Sequence, residues 1–207
     1  MVFWATSPPA PSLPVAGSDG SLLLRPFQLR DAPAYASHIN TLLSDPNMPG
    51  FLLTFRAPYS ARLARERIRQ SHAWARQNRG WALAIDWDGT LIGQAQIVTM
   101  DRRQTRAEIA YWLAPTHQGR GLAHAAMDTL IQAAANHWPI TQVEATVSAD
   151  NQASIRLLHR LGFAYINDTV VPYRVQGSWR RRRARVQVYG RPARPNLSET
   201  EDPSYDL

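Results

Sequence analysis

A mixed α/β domain built on a central sheet is predicted by three features of this 207-residue chain. Short alternating or continuously apolar runs recur between longer stretches with a helical repeat. Two of these runs flank Asp88-Gly89, a dipeptide suited to the left-handed conformation of a tight hairpin turn. The helical stretches carry their own stop signals, Trp138-Pro139 after one and Gly162 after another. The length suits one domain of roughly 150 to 200 residues plus some tail.

The elements follow in chain order. Residues 1–21 hold Pro8, Pro9, Pro11 and Pro14 among small residues and read as a disordered lead, because such a composition buries too little surface to offset the entropy of ordering. The domain proper is expected over residues 22–191. Leu22 to Arg25 is a short strand, and Asp31 caps a helix that runs to about Leu43. A loop with Pro46, Pro49 and Pro58 leads to a helix over Tyr59 to Asn78, which has no internal Gly or Pro. Its apolar stripe is Ala64, Ile68, His72 and Ala75, while Arg62, Arg65, Arg69 and Arg76 share a solvated face on which Glu66 pairs with Arg62 or Arg69. Trp81 to Trp87 and Thr90 to Val98 form the hairpin. Ala107 to Leu113 alternates, with Ile109, Tyr111 and Leu113 opposite Glu108, Ala110 and Trp112. Leu122 to Asn136 is helical, Val143 to Val147 a strand, Asn151 to Leu161 a helix, and Ala164 to Val171 and Arg185 to Tyr189 the closing strands. Residues 192–207 carry Glu199, Glu201, Asp202 and Asp206 and read as an acidic, flexible tail.

Composition removes whole classes of chemistry. All 23 basic residues are arginine, so a Schiff-base lysine, a P-loop lysine and a lysine general base are excluded. The absence of cysteine excludes a thiol nucleophile, a disulfide framework and Cys-ligated zinc. The six histidines show no HExxH or HxH spacing, so no metal site is expected. No apolar run approaches the ~18 residues of a membrane span, and the opening MVFWA lacks the basic flank of a secretory signal. A soluble, cytoplasmic protein is the expectation.

The most informative stretch joins a strand to a helix through Ala114-Pro115-Thr116-His117-Gln118-Gly119-Arg120-Gly121-Leu122-Ala123. A helix N-terminus presents unpaired N–H groups and the positive end of a dipole, and glycines let a phosphate approach the backbone without a Cβ clash. Gly119 and Gly121 therefore suit a pyrophosphate. The dinucleotide fingerprint would need a third glycine, and the Walker motif a lysine. Downstream, Asn151-Gln152-Ala153-Ser154-Ile155-Arg156-Leu157-Leu158-His159-Arg160-Leu161-Gly162-Phe163 opens a second helix just after a strand. Asn151, Ser154 and Leu158 fall at i, i+3 and i+7 on one face, so two polar side chains head an otherwise apolar stripe. Asn151 is also a good N-cap and Ser154 an ordinary first-turn residue.

Together these segments resemble the GCN5-related N-acetyltransferase (GNAT) superfamily. Gln118 through Ala123 is similar to its (Q/R)xxGx(G/A) acetyl-CoA loop, and Asn151 through Phe163 to its NxxSxxxxxxxGF helix. Leu24-Arg25-Pro26, Arg30-Asp31-Ala32, Pro58-Tyr59, Gly89 to Gly93, Glu108 to Leu113 and Trp179-Arg180 resemble landmarks of the Rim-type branch, which acetylates the N-termini of ribosomal proteins.

The resemblance implies a mixed, mostly antiparallel sheet with helices on both faces, splayed between two parallel strands. The strand matching Ala107 to Leu113 would bulge and part from that matching Val143 to Val147, and the pantetheine arm of acetyl-CoA would lie between them. Leu113 and its neighbours would then bond the pantetheine amides. The N–H groups of Gln118, Gly119, Arg120, Gly121, Leu122 and Ala123 would hold the pyrophosphate, with Asn151 and Ser154 beside them. A backbone N–H would stabilise the oxyanion, a contribution of roughly 3–4 kcal/mol per donor. Glu108 and Glu144, one on each splayed strand, are the carboxylates placed to relay the amine's proton. Many members of the family carry a tyrosine where this chain has Leu158, so the acid role passes to Ser154, with Tyr111 as a substitute. His117 and His124 flank the loop as structural residues.

Arg174 to Arg194 contains eight arginines and no acid. The run Arg180 to Arg183 suits phosphate neutralisation on RNA or a ribosome, acidic substrate peptides, or simply a charged, solvated hairpin. The implied activity is acetyl transfer to a primary amine, with a protein N-terminus as the leading acceptor. A small amine such as an antibiotic or polyamine, and a non-catalytic acyl-CoA-binding protein of the ribosome, are the alternatives.

Overall fold

The computed structural model describes residues 10–16, 21–45, 55–101, 103–174 and 181–194. Its strands are β1 (Leu13–Val15), β2 (Leu22–Pro26), β3 (Gly80–Trp87), β4 (Thr90–Thr99), β5 (Arg106–Leu113), β6 (Gln142–Val147), β7 (Ala164–Arg174) and β8 (Arg181–Pro192). The helices are α1 (Ala32–Ser44), α2 (Ala61–Arg76), α3 (Leu122–His137) and α4 (Gln152–Arg160). One eight-stranded sheet runs in the order β1-β2-β3-β4-β5-β6-β8-β7. Every neighbouring pair is antiparallel except β5 with β6.

Two cores lie on the two faces of this sheet. On one face α3 and α4 bury Met127, Leu130 and Leu158 against Leu83, Ile97 and Ile109 of β3, β4 and β5. On the other, α1 and α2 bury Tyr35, Ile39, Ala64 and Ile68 against Ala84 and Trp112. The alternation in β5 produces this division: Ala107, Ile109 and Leu113 enter the first core, and Trp112 enters the second.

The β3–β4 turn has the geometry its sequence calls for, with Asp88 at φ 48° and Gly89 at φ 81°. Ser60 caps α2 by accepting from the Leu63 N–H, and Arg62 pairs with Glu66 at 2.7 Å. Ser71 takes the buried place expected for His72, which instead engages the Phe27 carbonyl at 2.8 Å.

Four expectations change. Within the expected lead, Leu13–Val15 is an edge strand, with Val15 buried against the core. Pro14 is tolerated there because an edge strand can leave its missing N–H side unpaired; the rest of the lead, residues 1–9 and 17–20, lies outside the described residues. The domain also continues past residue 191. Pro192 ends β8, Ala193 donates to the Thr141 carbonyl, and Arg194 donates to the Ala135 carbonyl at 2.9 Å, so the expected tail starts too early; residues 195–207 lie outside the described residues. Asp31 precedes α1 without accepting from it; its carboxylate takes the Gln28 N–H and the Arg25 guanidinium. Finally, β5 keeps an unbroken register with β4, from Gly93↔Leu113 to Thr99↔Ala107, and the bulge expected in it is found between β3 and β4, where Ile92 is the extra residue.

Candidate active site

Strands β5 and β6 pair only from Arg106↔Gln142 to Ile109↔Ala145. Beyond that point β5 remains paired with β4, and β6 with β8 out to Val147↔Gln187. Each half of the sheet is thus continuous, and the ladder opens at a single seam. On the α3/α4 side of the seam lies a cleft of about 640 Å³. On the α1/α2 side lies a second cavity of about 270 Å³. Tyr111, Trp112, Asn151 and Ser154 line both, so the two spaces meet at the seam.

The head of the large cleft is the loop before α3. Gly119 and Gly121 have φ of 75° and 79°, and a Cβ added to either would meet nothing within 4 Å, so their faces toward the cleft are open. Gly121 caps α3, and the first bond into the helix is from the Ala125 N–H to the Gly121 carbonyl. The N–H groups from Gly119 to His124 precede that bond and form an open cradle of donors. Gln118 does not join it. Its N–H donates to the Pro115 carbonyl and its side-chain amide to the Leu113 carbonyl at 2.9 Å, so it fastens the loop to the end of β5. Arg120 also turns away, with its guanidinium 4.9 Å from the ring centroid of Trp87. Leu122 is buried, and Ala123 lines the cleft.

The cleft's charge is one-sided. His117, His124, Arg156, His159 and Arg160 line it, and no carboxylate does among the described residues. His117 is held below the usual histidine range by burial, with Arg120 and His38 adding in the same direction. His124 bonds the Arg160 carbonyl at 3.3 Å and so ties α3 to the end of α4. A basic, open cradle leading into an apolar cleft fits a phosphorylated thioester co-substrate of the acyl-CoA kind. Arg156, His159 and Arg160 were missed from sequence. Their spacing on the helix after Asn151, with Arg156 and Arg160 at i and i+4, was the available signal.

At the seam, Asn151 accepts from the Ser154 N–H at 3.1 Å and caps α4, leaving Ser154 only 8% exposed. The Tyr111 hydroxyl donates to the Ser154 carbonyl at 3.5 Å, and burial pushes its pKa up to about 12. The two glutamates are register partners on β5 and β6 but have different surroundings. Glu108 lines the smaller cavity and accepts from the Thr146 hydroxyl at 2.8 Å. Glu144 is 7% exposed and accepts from Arg106 Nε at 3.1 Å and Nη2 at 2.5 Å. The structure therefore brings Glu108, Tyr111, Asn151 and Ser154 to the seam and engages Glu144 in an ion pair outside both cavities. Of the run Arg180–Arg183, Arg180 lies outside the described residues, the backbone of Arg181–Arg183 is in β8, and Arg183 is exposed.

Known proteins bear on this arrangement. Residues 21–164 match the family described as the acetyltransferase (GNAT) domain. YdaF of Bacillus subtilis (strain 168), named as a ribosomal N-acetyltransferase, is 28% identical over 145 residues, covering 69% of this chain and 77% of YdaF. Among solved structures, Mycobacterium smegmatis RimJ in complex with CoA-disulfide superposes with a TM-score of 0.70 at 24% identity, covering 88% of each chain. A Salmonella typhimurium acetyltransferase, described as modifying the N-terminal serine of ribosomal protein L7/L12, gives 0.67 at 20% identity, covering 88% of this chain and 99% of that one. At these identities the structural likeness is one of fold. Among the described residues no helix is long and apolar enough to cross a membrane.

Proposed function

The chain belongs to the GNAT acetyltransferase family, and we propose that it moves the acetyl group of acetyl-CoA to the N-terminal α-amine of a ribosomal protein. It is an acetyl-CoA-dependent N-acetyltransferase; the nature of the acceptor is the proposal. The observation that carries it is the seam, where a cleft with a basic lining and, among the described residues, no carboxylate meets a cavity that holds Glu108. YdaF and the Salmonella enzyme, by their names, act on ribosomal proteins, which supports the acceptor.

Acetyl-CoA supplies an activated thioester when bound. The protein's work is then to hold the phosphates, admit the amine from the opposite face and take up its proton. The N–H cradle from Gly119 to Ala123 holds the pyrophosphate, and the end of β5 at Leu113 guides the pantetheine arm toward Tyr111 and Ser154. An α-amine with a pKa near ~8 is already about a tenth neutral at pH 7, whereas a lysine amine near ~10.4 is under about 0.1% neutral. The smaller burden on the base favours an N-terminus.

Glu108 is the base in this reading. Thr146 orients one of its oxygens, and its carboxylate borders the acceptor cavity. Glu144 holds Arg106 across the strand pair and serves structure. The Ser154 hydroxyl gives a hydrogen bond to the departing sulfur, which leaves as a thiolate. Tyr111 keeps its proton throughout the working pH range and contributes a hydrogen bond, because proton donation from a group near pKa 12 to a thiolate near ~8.5 is uphill. Arg180 to Arg183 add phosphate-neutralising charge for contact with the ribosome.

Steady-state turnover of acetyl-CoA with Ala- or Ser-starting peptides, set against spermidine and an aminoglycoside, tests the acceptor. A kcat/KM for the best peptide well above that for every small amine is expected; the reverse order refutes the proposal.

A further inference from the structure

The acceptor cavity contains a feature that neither base nor co-substrate accounts for. Arg67 of α2 lines it, and among the described lining residues it is the one cation, as Glu108 is the one anion. The two are not paired with each other among the described ion pairs. The Arg67 guanidinium lies 5.6 Å from the ring centroid of Phe55 and 5.8 Å from that of Trp74, so two aromatic faces fix its plane. It donates to Gln70 Oε1 over a long 3.4 Å and also acts on the buried Tyr35 hydroxyl by charge and hydrogen bonding, so part of its five-donor fork remains for a ligand.

The floor beside it is equally ordered. The buried Tyr35 hydroxyl donates to Gln94 Oε1 at 2.8 Å, and Gln94 Nε2 donates to Gln96 Oε1 at 3.1 Å. This chain of bonds fixes both amides and leaves the Gln96 nitrogen as a donor on the cavity side. Gln96 sits opposite Ala110, and Val98 sits opposite Glu108, so the Gln96 row and the Glu108 row are two residues apart along the strands. That is about 7 Å, the length of two extended peptide residues. One end of the cavity is therefore an acceptor for an amine, and the other a set of donors for oxygen.

We propose that Arg67 is a specificity-determining residue: with Gln96 it binds the carbonyl oxygens of the first two residues of a peptide whose amine lies beside Glu108, and it repels acceptors that carry a second cation. A polyamine places another ammonium a few carbons from the reacting one, against a guanidinium that cannot deprotonate. The role rests on the reading that the acceptor is a peptide α-amine.

The test compares Arg67→Met, Arg67→Lys and Arg67→Glu with the wild type, using an Ala- or Ser-starting tetrapeptide amide and spermidine at saturating acetyl-CoA. Arg67→Met is expected to raise the peptide KM by roughly 10- to 100-fold, the loss of charged hydrogen bonds, with kcat within about 3-fold. Arg67→Lys restores part of the affinity, lacking only the planar fork. Arg67→Glu shifts the preference toward spermidine. Arg67 lies outside the buried α2 stripe, and an unchanged thermal shift on adding CoA certifies each variant's fold. If the wild type uses peptides and Arg67→Met leaves the peptide-to-spermidine ratio unchanged, the role of Arg67 is refuted and the acceptor reading stands. A wild type that prefers spermidine, or turns over no peptide, refutes both.

Discussion

Gly121 offers the sharpest test of the phosphate cradle, because its structural and ligand-binding consequences separate. It caps α3 at φ 79°, and an added Cβ would meet nothing within 4 Å. Any side chain there costs only the left-handed backbone penalty, about 1–2 kcal/mol. For a chain of this size that corresponds to a fall in Tm of about 2–8 °C, which Gly121→Ala isolates. Gly121→Glu adds to this a full negative charge beside the pyrophosphate. At ~5 Å and an effective dielectric between ~20 and ~80, the repulsion is about 0.8–3.3 kcal/mol per phosphate charge, or roughly 4- to 250-fold in CoA affinity. Calorimetric titration of CoA into both variants, with thermal unfolding of each, reads the two effects. Added salt should narrow the gap between them, since an exposed repulsion is screened. A Gly121→Glu protein that binds CoA within 2-fold of Gly121→Ala, both showing the expected loss of Tm, would refute the cradle.

Other perturbations have equally defined outcomes. Glu108→Gln should lower kcat/KM for a peptide by about 10²–10⁴ at pH 7, with the deficit shrinking above pH ~8 as the α-amine deprotonates by itself; a deficit constant with pH in stopped-assay profiles argues against a base. Arg25 joins Asp31 at 2.8 Å and Asp86 at 2.7 Å, all little exposed, so Arg25→Ala strands two buried carboxylates and should cost about 3–5 kcal/mol in urea unfolding; a loss under about 1 kcal/mol contradicts this. His117, whose pKa is lowered by burial, binds protons less readily in the folded chain than in the unfolded one. Stability should therefore be full above pH ~6.5 and fall as pH drops below it, and His117→Gln should flatten that slope between pH 5 and 7; an unchanged slope removes His117 as its source.

The local signals that the sequence carries are those with a local physical cause. Asp88-Gly89 made its turn because both residues adopt positive φ, and the glycine pair before α3 is open for the same reason. Ser154 and Asn151 came together because a cap and the N–H it receives are three residues apart on any helix. What escaped depends on distant partners. The family motif puts Gln118 among the phosphate donors, and only the fold brings the Leu113 carbonyl to its side chain. Arg120 is drawn off by Trp87 from the hairpin, and Leu13–Val15 becomes a strand because β2 offers it an edge. Arg67, absent from the arginine face that the helical repeat marks on α2, reaches the cavity only because α2 lies against the sheet.

The seam gives the two glutamates their separate parts. Among the described residues four register pairs join the half-sheets β1–β5 and β6–β8–β7, and side-chain bonds from Arg106 to Glu144, from Thr146 to Glu108 and from Thr141 to the Thr105 carbonyl reinforce that closed end. A carboxylate that both closes a seam and takes up protons faces a conflict, since protonation would loosen the closure. Glu144 is committed to the closure, since it accepts from Arg106 through two nitrogens. Among the described residues Glu108 accepts from a neutral hydroxyl, and protonation of its other oxygen leaves that bond intact. The register partner without a cation is thus the one that the proposed reaction can use as its base without opening the seam. Substituting Glu144 should then appear as lost stability and a weakened seam, and substituting Glu108 as a changed pH profile with the fold preserved.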